Sequence, residues 1–302
     1  EHVRALIMPG EDTTSVEGLN IEKVEGDVLD FTALQRALQG IKYVFHLAGM
    51  ISILPGRNPL LQLVNVVGTR NVVHAARSAN VQRLVYTSSI HALRRVPHGV
   101  KIDEQVPFDP DHAISAYDHS KAQASLEVQH AVDEGLNAVL ACPTGVIGPY
   151  DYRYSEMGQL IYDCAQQKPQ FYVDGAYDFV DVRDVAQGLI AARDRGRTGE
   201  TYILSGELIT VRRLLDSLWE ITGQRFLRLH VPLALAHFAA RFTPLYYRLA
   251  HARPRLTSYS LATLASNADI SHAKAQRELG FSPRPISEAL ADTVLWFRSR
   301  IK

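Results

Sequence analysis

Leu84-Val85-Tyr86-Thr87-Ser88-Ser89 is a short apolar run that closes on three hydroxyl residues, and its reading decides the fold. A run of this length and composition reads as a buried strand that opens into a polar turn. Working outward, Tyr43 to Leu47 and Ala138 to Cys142 are runs of the same kind. The stretches between them, Leu60 to Ser78 and Tyr117 to Glu134, have helical composition. Toward the start, Val3 to Ile7 and Ile21 to Glu25 add two more strands, followed by a helix from Phe31 to Leu38. Strands alternating with helices indicate βαβ units, hence an α/β fold built on a doubly wound parallel sheet. In such sheets ligands lie outside the carboxyl ends of the strands, where Thr87, Ser88 and Ser89 stand.

Past Gly148 the pattern changes: loops lengthen, Pro and Tyr become frequent, and helices such as Arg212 to Thr222 and Ile286 to Ser299 separate short strands. The chain therefore divides into a dinucleotide-binding domain over 1–148 and a smaller, mostly helical substrate region over 149–302. Segments near 179–204 (Phe179 to Val182 and Thr201 to Leu204) return to the first sheet. There is no internal repeat and no low-complexity tract.

The 302 residues are 46% hydrophobic, enough for a sizeable core. Thirty-two basic side chains balance thirty-two acidic ones, so nothing in the net charge suggests a nucleic-acid or anionic-membrane partner, and a small neutral or anionic substrate stays open. Cys142 and Cys164 show no metal-type pairing, which points to free thiols in the cytoplasm. Twelve histidines are scattered without ligand spacing, so no metal is expected. The most apolar stretch, Val231 to Leu249, is interrupted by His237, Arg241, Pro244 and Arg248 and falls short of a transmembrane segment. It reads as core or lid packing, with peripheral membrane attachment as the alternative.

A dinucleotide-binding sheet normally opens with a strand, a Gly-rich turn and a helix whose N-terminus receives the pyrophosphate. No G-x-G-x-x-G or G-x-x-G-x-x-G occurs, and the chain begins at what reads as the second strand. The expectation is that this first βα unit, roughly 25 to 30 residues, is lacking from the sequence rather than from the protein. A parallel sheet without an internal strand would leave backbone unpaired at its centre.

Tyr117 and Lys121, in Ser115-Ala116-Tyr117-Asp118-His119-Ser120-Lys121, stand one helical turn apart on one face. A phenol titrating near 10 is a poor acid or base at neutral pH, whereas an ammonium beside it favours the phenolate. The tyrosine then exchanges a proton with a substrate hydroxyl or carbonyl as hydride moves to or from a nicotinamide. Tyr-x-x-x-Lys arises often by chance and weighs little alone. Ser89, at the strand end, is placed to hydrogen-bond the same substrate oxygen; the plainer reading is that Ser88 and Ser89 cap a turn.

Taken with Pro143-Thr144-Gly145-Val146-Ile147-Gly148-Pro149, these residues resemble the extended short-chain dehydrogenase/reductases, the NAD-dependent epimerase/dehydratase family. The resemblance runs through Gly26-Asp27-Val28-Leu29-Asp30, Val44-Phe45-His46-Leu47-Ala48-Gly49 and Asn65-Val66-Val67-Gly68-Thr69-Arg70-Asn71-Val72. It continues in Phe179-Val180-Asp181-Val182-Arg183-Asp184-Val185-Ala186 and Lys274-Ala275-Gln276-Arg277-Glu278-Leu279-Gly280-Phe281. It implies a Rossmann-type sheet and an NAD(P)-dependent oxidoreductase or epimerase.

Carried onto this chain, the resemblance makes Tyr117 the acid/base, has Lys121 lower its pKa and hold the nicotinamide ribose, and has Ser89 polarise the substrate. Asp27 and Val28 would meet the adenine, the backbone at Leu47, Ala48 and Gly49 would line the middle of the cofactor, and Thr87 would lie near the nicotinamide. Pro143 and Val146 would flank the carboxamide. A homodimer through the helices at 60–78 and 117–134 is also implied. The wording around the site is similar to dihydroflavonol 4-reductase-like and hydroxysteroid-dehydrogenase-like members and to bacterial sugar-epimerase homologues of that branch; Cys142 stands where many nucleotide-sugar members carry Arg.

Ile7, Met8 and Pro9 end the first strand with neither an acid for NAD nor an Arg for NADP, and Arg4 reads as part of the strand, so either cofactor stays open. A dinucleotide-binding sensor or scaffold without catalysis is the rival class, and the presence of both Tyr117 and Lys121 speaks against it. His46 reads as a core histidine, while His91 and His119 flank the active residues within reach of substrate. Asp181, Arg183 and Asp184 read as structural, with Asp184 suited to a helix N-terminus. Tyr150, Tyr152 and Tyr154 are expected in the pocket wall.

Overall fold

A computed structural model describes residues 2–223, 225–240 and 257–300. Strands β1 (Arg4–Ile7) and β2 (Glu22–Glu25) form one parallel ladder. Strands β3 (Tyr43–His46), β4 (Arg83–Thr87), β5 (Ala138–Pro143) and β9 (Thr201–Leu204) form another, parallel throughout and in that spatial order. The register sets Tyr86 beside both His46 and Leu140.

Strand alternation explains why both faces are covered. Leu84, Tyr86 and Leu140 point into a core shared with Leu34, Val72, Val73, Ala76 and Val128, carried by α1 (Phe31–Ala37), α3 (Gly68–Ser78) and α4 (Ala116–Asp133). Val85, Val139 and Ala141 point the other way, onto Leu189 of α6 (Val182–Arg195) and Leu279 of α10 (Ala273–Leu279). This is the doubly wound arrangement read from the sequence.

The helix expected over 60–78 is interrupted. A turn, α2 (Pro59–Leu61), is capped by Asn58 and passes into a π-helical stretch, Gln62–Val67, before α3 begins. Gly68 sits where this segment crosses β2's following turn: a Cβ there would lie 2.7 Å from the Val28 side chain, so only glycine permits the approach. π-Helical turns often occur at functional sites, and this one carries Asn65 inward.

The rest of the chain builds a second core around Ile161, Leu215, Leu218, Leu290 and Phe297. It joins α5 (Glu156–Ala165), α7 (Val211–Thr222) and α11 (Ile286–Arg298) to a mixed sheet of β6 (Gly145–Ile147), β8 (Ala176–Asp181) and β10 (Glu207–Thr210). A two-stranded ladder, β7 (Gln170–Tyr172) with β11 (Arg228–His230), leads into α8 (Leu233–Ala240), which packs beside α9 (Ser258–Leu264). Of the apolar stretch 231–249, residues 241–249 lie outside the described residues. Among the described residues no helix is long and apolar enough to cross a membrane.

Candidate active site at the carboxyl ends of β3, β4 and β5

α4 starts where Ser115 accepts a hydrogen bond from the Asp118 amide, which points the first turn of the helix, with Tyr117, toward the end of β4. Tyr117 and Lys121 are both buried. The Lys121 ammonium donates to the Thr87 carbonyl at 2.7 Å and reaches the Tyr86 hydroxyl at 3.5 Å, lying 5.0 Å from that ring's centre. Deeper along the same face, the Ser88 and Ser125 hydroxyls are 2.6 Å apart. Helix and strand are thus stitched together along the edge where a ligand would lie.

Burial pushes the Tyr117 phenol up to about 12, opposed by a hydrogen bond with Ser89. Burial also lowers Lys121 to about 8. Lys121 is not among the groups that shift the phenol in this arrangement. Its ammonium is held on Thr87, and desolvation of the phenol outweighs the remaining influences. His46 is a buried core histidine as expected: Nε2 lies 2.9 Å from the Thr69 hydroxyl, and burial, then Lys121, lowers it to about 3.

The loop after β3 is open, with Leu47, Ala48 and Gly49 exposed. It is fixed from below by Asn65, whose Oδ1 accepts from the Met50 amide at 2.7 Å and whose Nδ2 donates to the Met50 carbonyl and the Ser120 hydroxyl, both at 2.9 Å. Gly49 lies over this clamp, since a Cβ there would stand 3.3 Å from Asn65 Oδ1 and 3.7 Å from Lys121 Nζ. The Thr87 hydroxyl is buried without a hydrogen-bond partner. An open backbone row, an orphaned hydroxyl and a lysine at one sheet edge fit a nicotinamide dinucleotide.

Other expected residues divide. Val146 is exposed and Pro143 buried at the same edge. Asp27 is half-buried and its carboxylate accepts from the Leu29 amide of its own turn at 2.9 Å. Val28 packs its side chain into the main core, in the turn that Asp27 opens. Arg4 spends its guanidinium on the carbonyls of Ala37 and Gln39 and on Glu22, in keeping with its place in the strand. Tyr150 and Tyr152 pack on Trp296 of α11, and Tyr154 on Tyr162 of α5 and Phe297 of α11. Asp181 caps α6, and Asp184 in its first turn accepts from the Arg284 amide and guanidinium.

The sequence did not reveal the group around His91. This ring stacks on Tyr177 and hydrogen-bonds its hydroxyl at 2.6 Å, while its edge contacts Tyr117 and Tyr259. Tyr259 in turn donates to buried Asp118 at 2.6 Å, and Arg95 lies 3.7 Å from the same carboxylate. Two residues in this cluster, Tyr177 and Tyr259, arrive from distant segments, and only the spacing of His91 from Ser89 hinted at it. Among the described residues there is no cluster of metal-ligating side chains.

Residues 3–205 match the model of the NAD dependent epimerase/dehydratase family. Sterol demethylase protein B of Methylococcus capsulatus is 36% identical, with 99% of this chain and 92% of that protein aligned. A putative dihydroflavonol 4-reductase of Synechocystis is 32% identical over 98% of this chain and 88% of its own length. The crystal structure of gox2253 superposes with a TM-score of 0.86 at 33% identity, covering 99% of this chain and 91% of that one.

Proposed function

We propose, from the premise that this chain belongs to the NAD dependent epimerase/dehydratase family and is an NAD(P)-dependent oxidoreductase or epimerase, that Tyr117 is its acid/base and Ser89 its substrate-polarising group. Lys121 would hold the nicotinamide ribose and Thr87, Leu47, Ala48, Gly49, Pro143 and Val146 would line the rest of the cofactor. The nicotinamide, when bound, gives or accepts hydride. The observation that supports the reading is the meeting of the Tyr117 phenol and Ser89, which lowers the phenol's pKa, with Lys121 at the open edge of β3 and β4.

A phenol raised to about 12 is protonated at neutral pH. It suits the acid that protonates the alkoxide left when hydride reaches a carbonyl carbon, because an alkoxide is the stronger base. Ser89 would hold the same oxygen as its charge develops.

Relatives named as a sterol demethylase component, a dihydroflavonol reductase and 3beta-hydroxysteroid dehydrogenase/decarboxylases support an apolar ring-bearing alcohol or ketone as substrate. We assign 1–148 with 179–204 to the cofactor and 149–302 to the substrate. The helix pair α3 and α4, with Leu63 of the preceding turn and Leu126 exposed, is the proposed homodimer face, and two buried cysteines without a disulfide accord with the cytoplasm.

The test offers ring-bearing ketones and alcohols alongside nucleotide sugars and follows nicotinamide absorbance. Net turnover of the ring-bearing compounds is expected. Conversion of nucleotide sugars alone, with no net change in the cofactor, would overturn the substrate class.

A further inference from the structure

One residue touches both groups proposed to handle the substrate oxygen. The His91 amide donates to Ser89 Oγ at 3.2 Å. The His91 ring meets the Tyr117 ring at an edge, with 6.4 Å between centres and 68° between planes. That ring is itself gripped from two distant segments. Tyr177 of β8 stacks on it at 5.8 Å and 12°, with its hydroxyl 2.6 Å from Nε2. Tyr259 of α9 leans on it at 5.9 Å, its own hydroxyl tied to buried Asp118, the neighbour of Tyr117 in α4.

A stacked imidazole can still turn in its plane or flip, and a hydrogen bond at one ring nitrogen prevents both. Burial, opposed by Asp118 and aided by Arg95, holds the imidazole below its ordinary pKa, so at neutral pH Nε2 is able to accept the Tyr177 hydroxyl. Strand β6 makes room for that hydroxyl-bearing ring. A Cβ on Gly145 would stand 2.7 Å from Tyr177 Cε1 and 2.6 Å from Phe179 Cδ1, closer than carbons pack. The fold thus forgoes a side chain on β6 to seat these rings.

Proton donation needs donor and acceptor held in fixed geometry, and a misplacement of about 1 Å costs about 100-fold in rate. Tyr117 comes from the first turn of α4 and Ser89 from beyond the end of β4, so their relative position needs a link between the two elements. His91 touches both. Given the roles proposed above for those two residues, we propose that His91, locked by the Tyr177 hydroxyl, is a positioning residue that keeps the Tyr117 phenol and the Ser89 hydroxyl aimed at one substrate oxygen.

The test compares the native chain with Tyr177→Phe, His91→Phe and the double variant. With whichever compound of the panel above turns over fastest, each single variant should lower kcat about tenfold and change KM less than about twofold. The double variant should lose no more than either single one, since the two residues act through one contact. Without substrate, a chain labelled with 13C at the tyrosine ζ carbons gives a second readout. Tyr177→Phe keeps a ring in the stack, so displacement or broadening of the Tyr117 resonance, identified by its loss in Tyr117→Phe, reports movement of that phenol. A native kcat in Tyr177→Phe, or an unmoved Tyr117 resonance, would each overturn the proposal whatever the change in melting temperature. Losses that multiply in the double variant would overturn it as well. A native rate in Tyr117→Phe marks failure of the premise, whereas a slow Tyr117→Phe beside a native Tyr177→Phe marks failure of the positioning role alone.

Discussion

Lys121 donates its 2.7 Å hydrogen bond to the carbonyl of Thr87, at the end of the neighbouring strand, and not to the phenol one turn before it on α4. The amine is thereby anchored to the sheet edge, over which the cofactor is expected to lie. The phenol is left to burial and to Ser89, so it stays protonated. The two groups share a helical face but have separate holds on the site.

Lys121 titrates at about 8 in the fold against 10.5 ordinarily, because burial disfavours its charge. Between those values the unfolded chain carries the extra proton, so this group adds stability as pH rises through the window and costs stability below it. The increment is on the order of 2–3 kcal/mol. Urea unfolding at pH 7 and pH 10 should show it in the native chain and not in Lys121→Met. Over the same range kcat/KM should fall above about pH 8 as the ammonium is lost.

Asn65 positions the loop after β3, along which the cofactor is proposed to lie. Asn65→Ala releases the Met50 amide and carbonyl and the Ser120 hydroxyl, leaving buried polar groups unpaired at a cost of about 2–4 kcal/mol. The melting temperature should drop, and NAD(P) affinity, read by fluorescence titration, should fall while the alkaline limb of the pH profile stays in place. A variant with lower stability and unchanged cofactor affinity would show that the clamp is structural alone.

Arg284 fixes the loop before α11 to the start of α6 through Asp184. Burial alone would push this carboxyl up, but hydrogen bonds and charge from Arg284 outweigh it and hold the group below its ordinary 3.8. Its contribution is present above that value and is lost as pH falls through the lower, folded one. Asp184→Asn should cost about 3 kcal/mol at neutral pH and flatten the acid limb of the stability curve. Calorimetry between pH 3 and 7 reads both.

Most of the sheet was legible because its strands carry their own period: Leu84 and Tyr86 alternate with Val85, and each face has a helix to meet. The proximity of Tyr117, Lys121 and Ser89 was legible for the same reason, since helix spacing and strand ends are local facts. What the sequence obscured was tertiary. The anchoring of Lys121 on Thr87 depends on how α4 lies against β4. Val28 entered the core because Gly68 lets a helix come close. The tyrosines at 150–154 found Trp296 and Phe297 on α11, more than 140 residues later. The His91 cluster likewise needs Tyr177 and Tyr259 brought in by the fold.

The most direct test is single-turnover hydride transfer to a ring-bearing ketone, followed through nicotinamide absorbance, in the native chain and in Tyr117→Phe. Removing one hydroxyl from the buried phenol should slow the step about 100- to 10,000-fold and leave cofactor affinity and melting temperature as they were. An undiminished rate in Tyr117→Phe would contradict the assignment of that phenol as the proton donor.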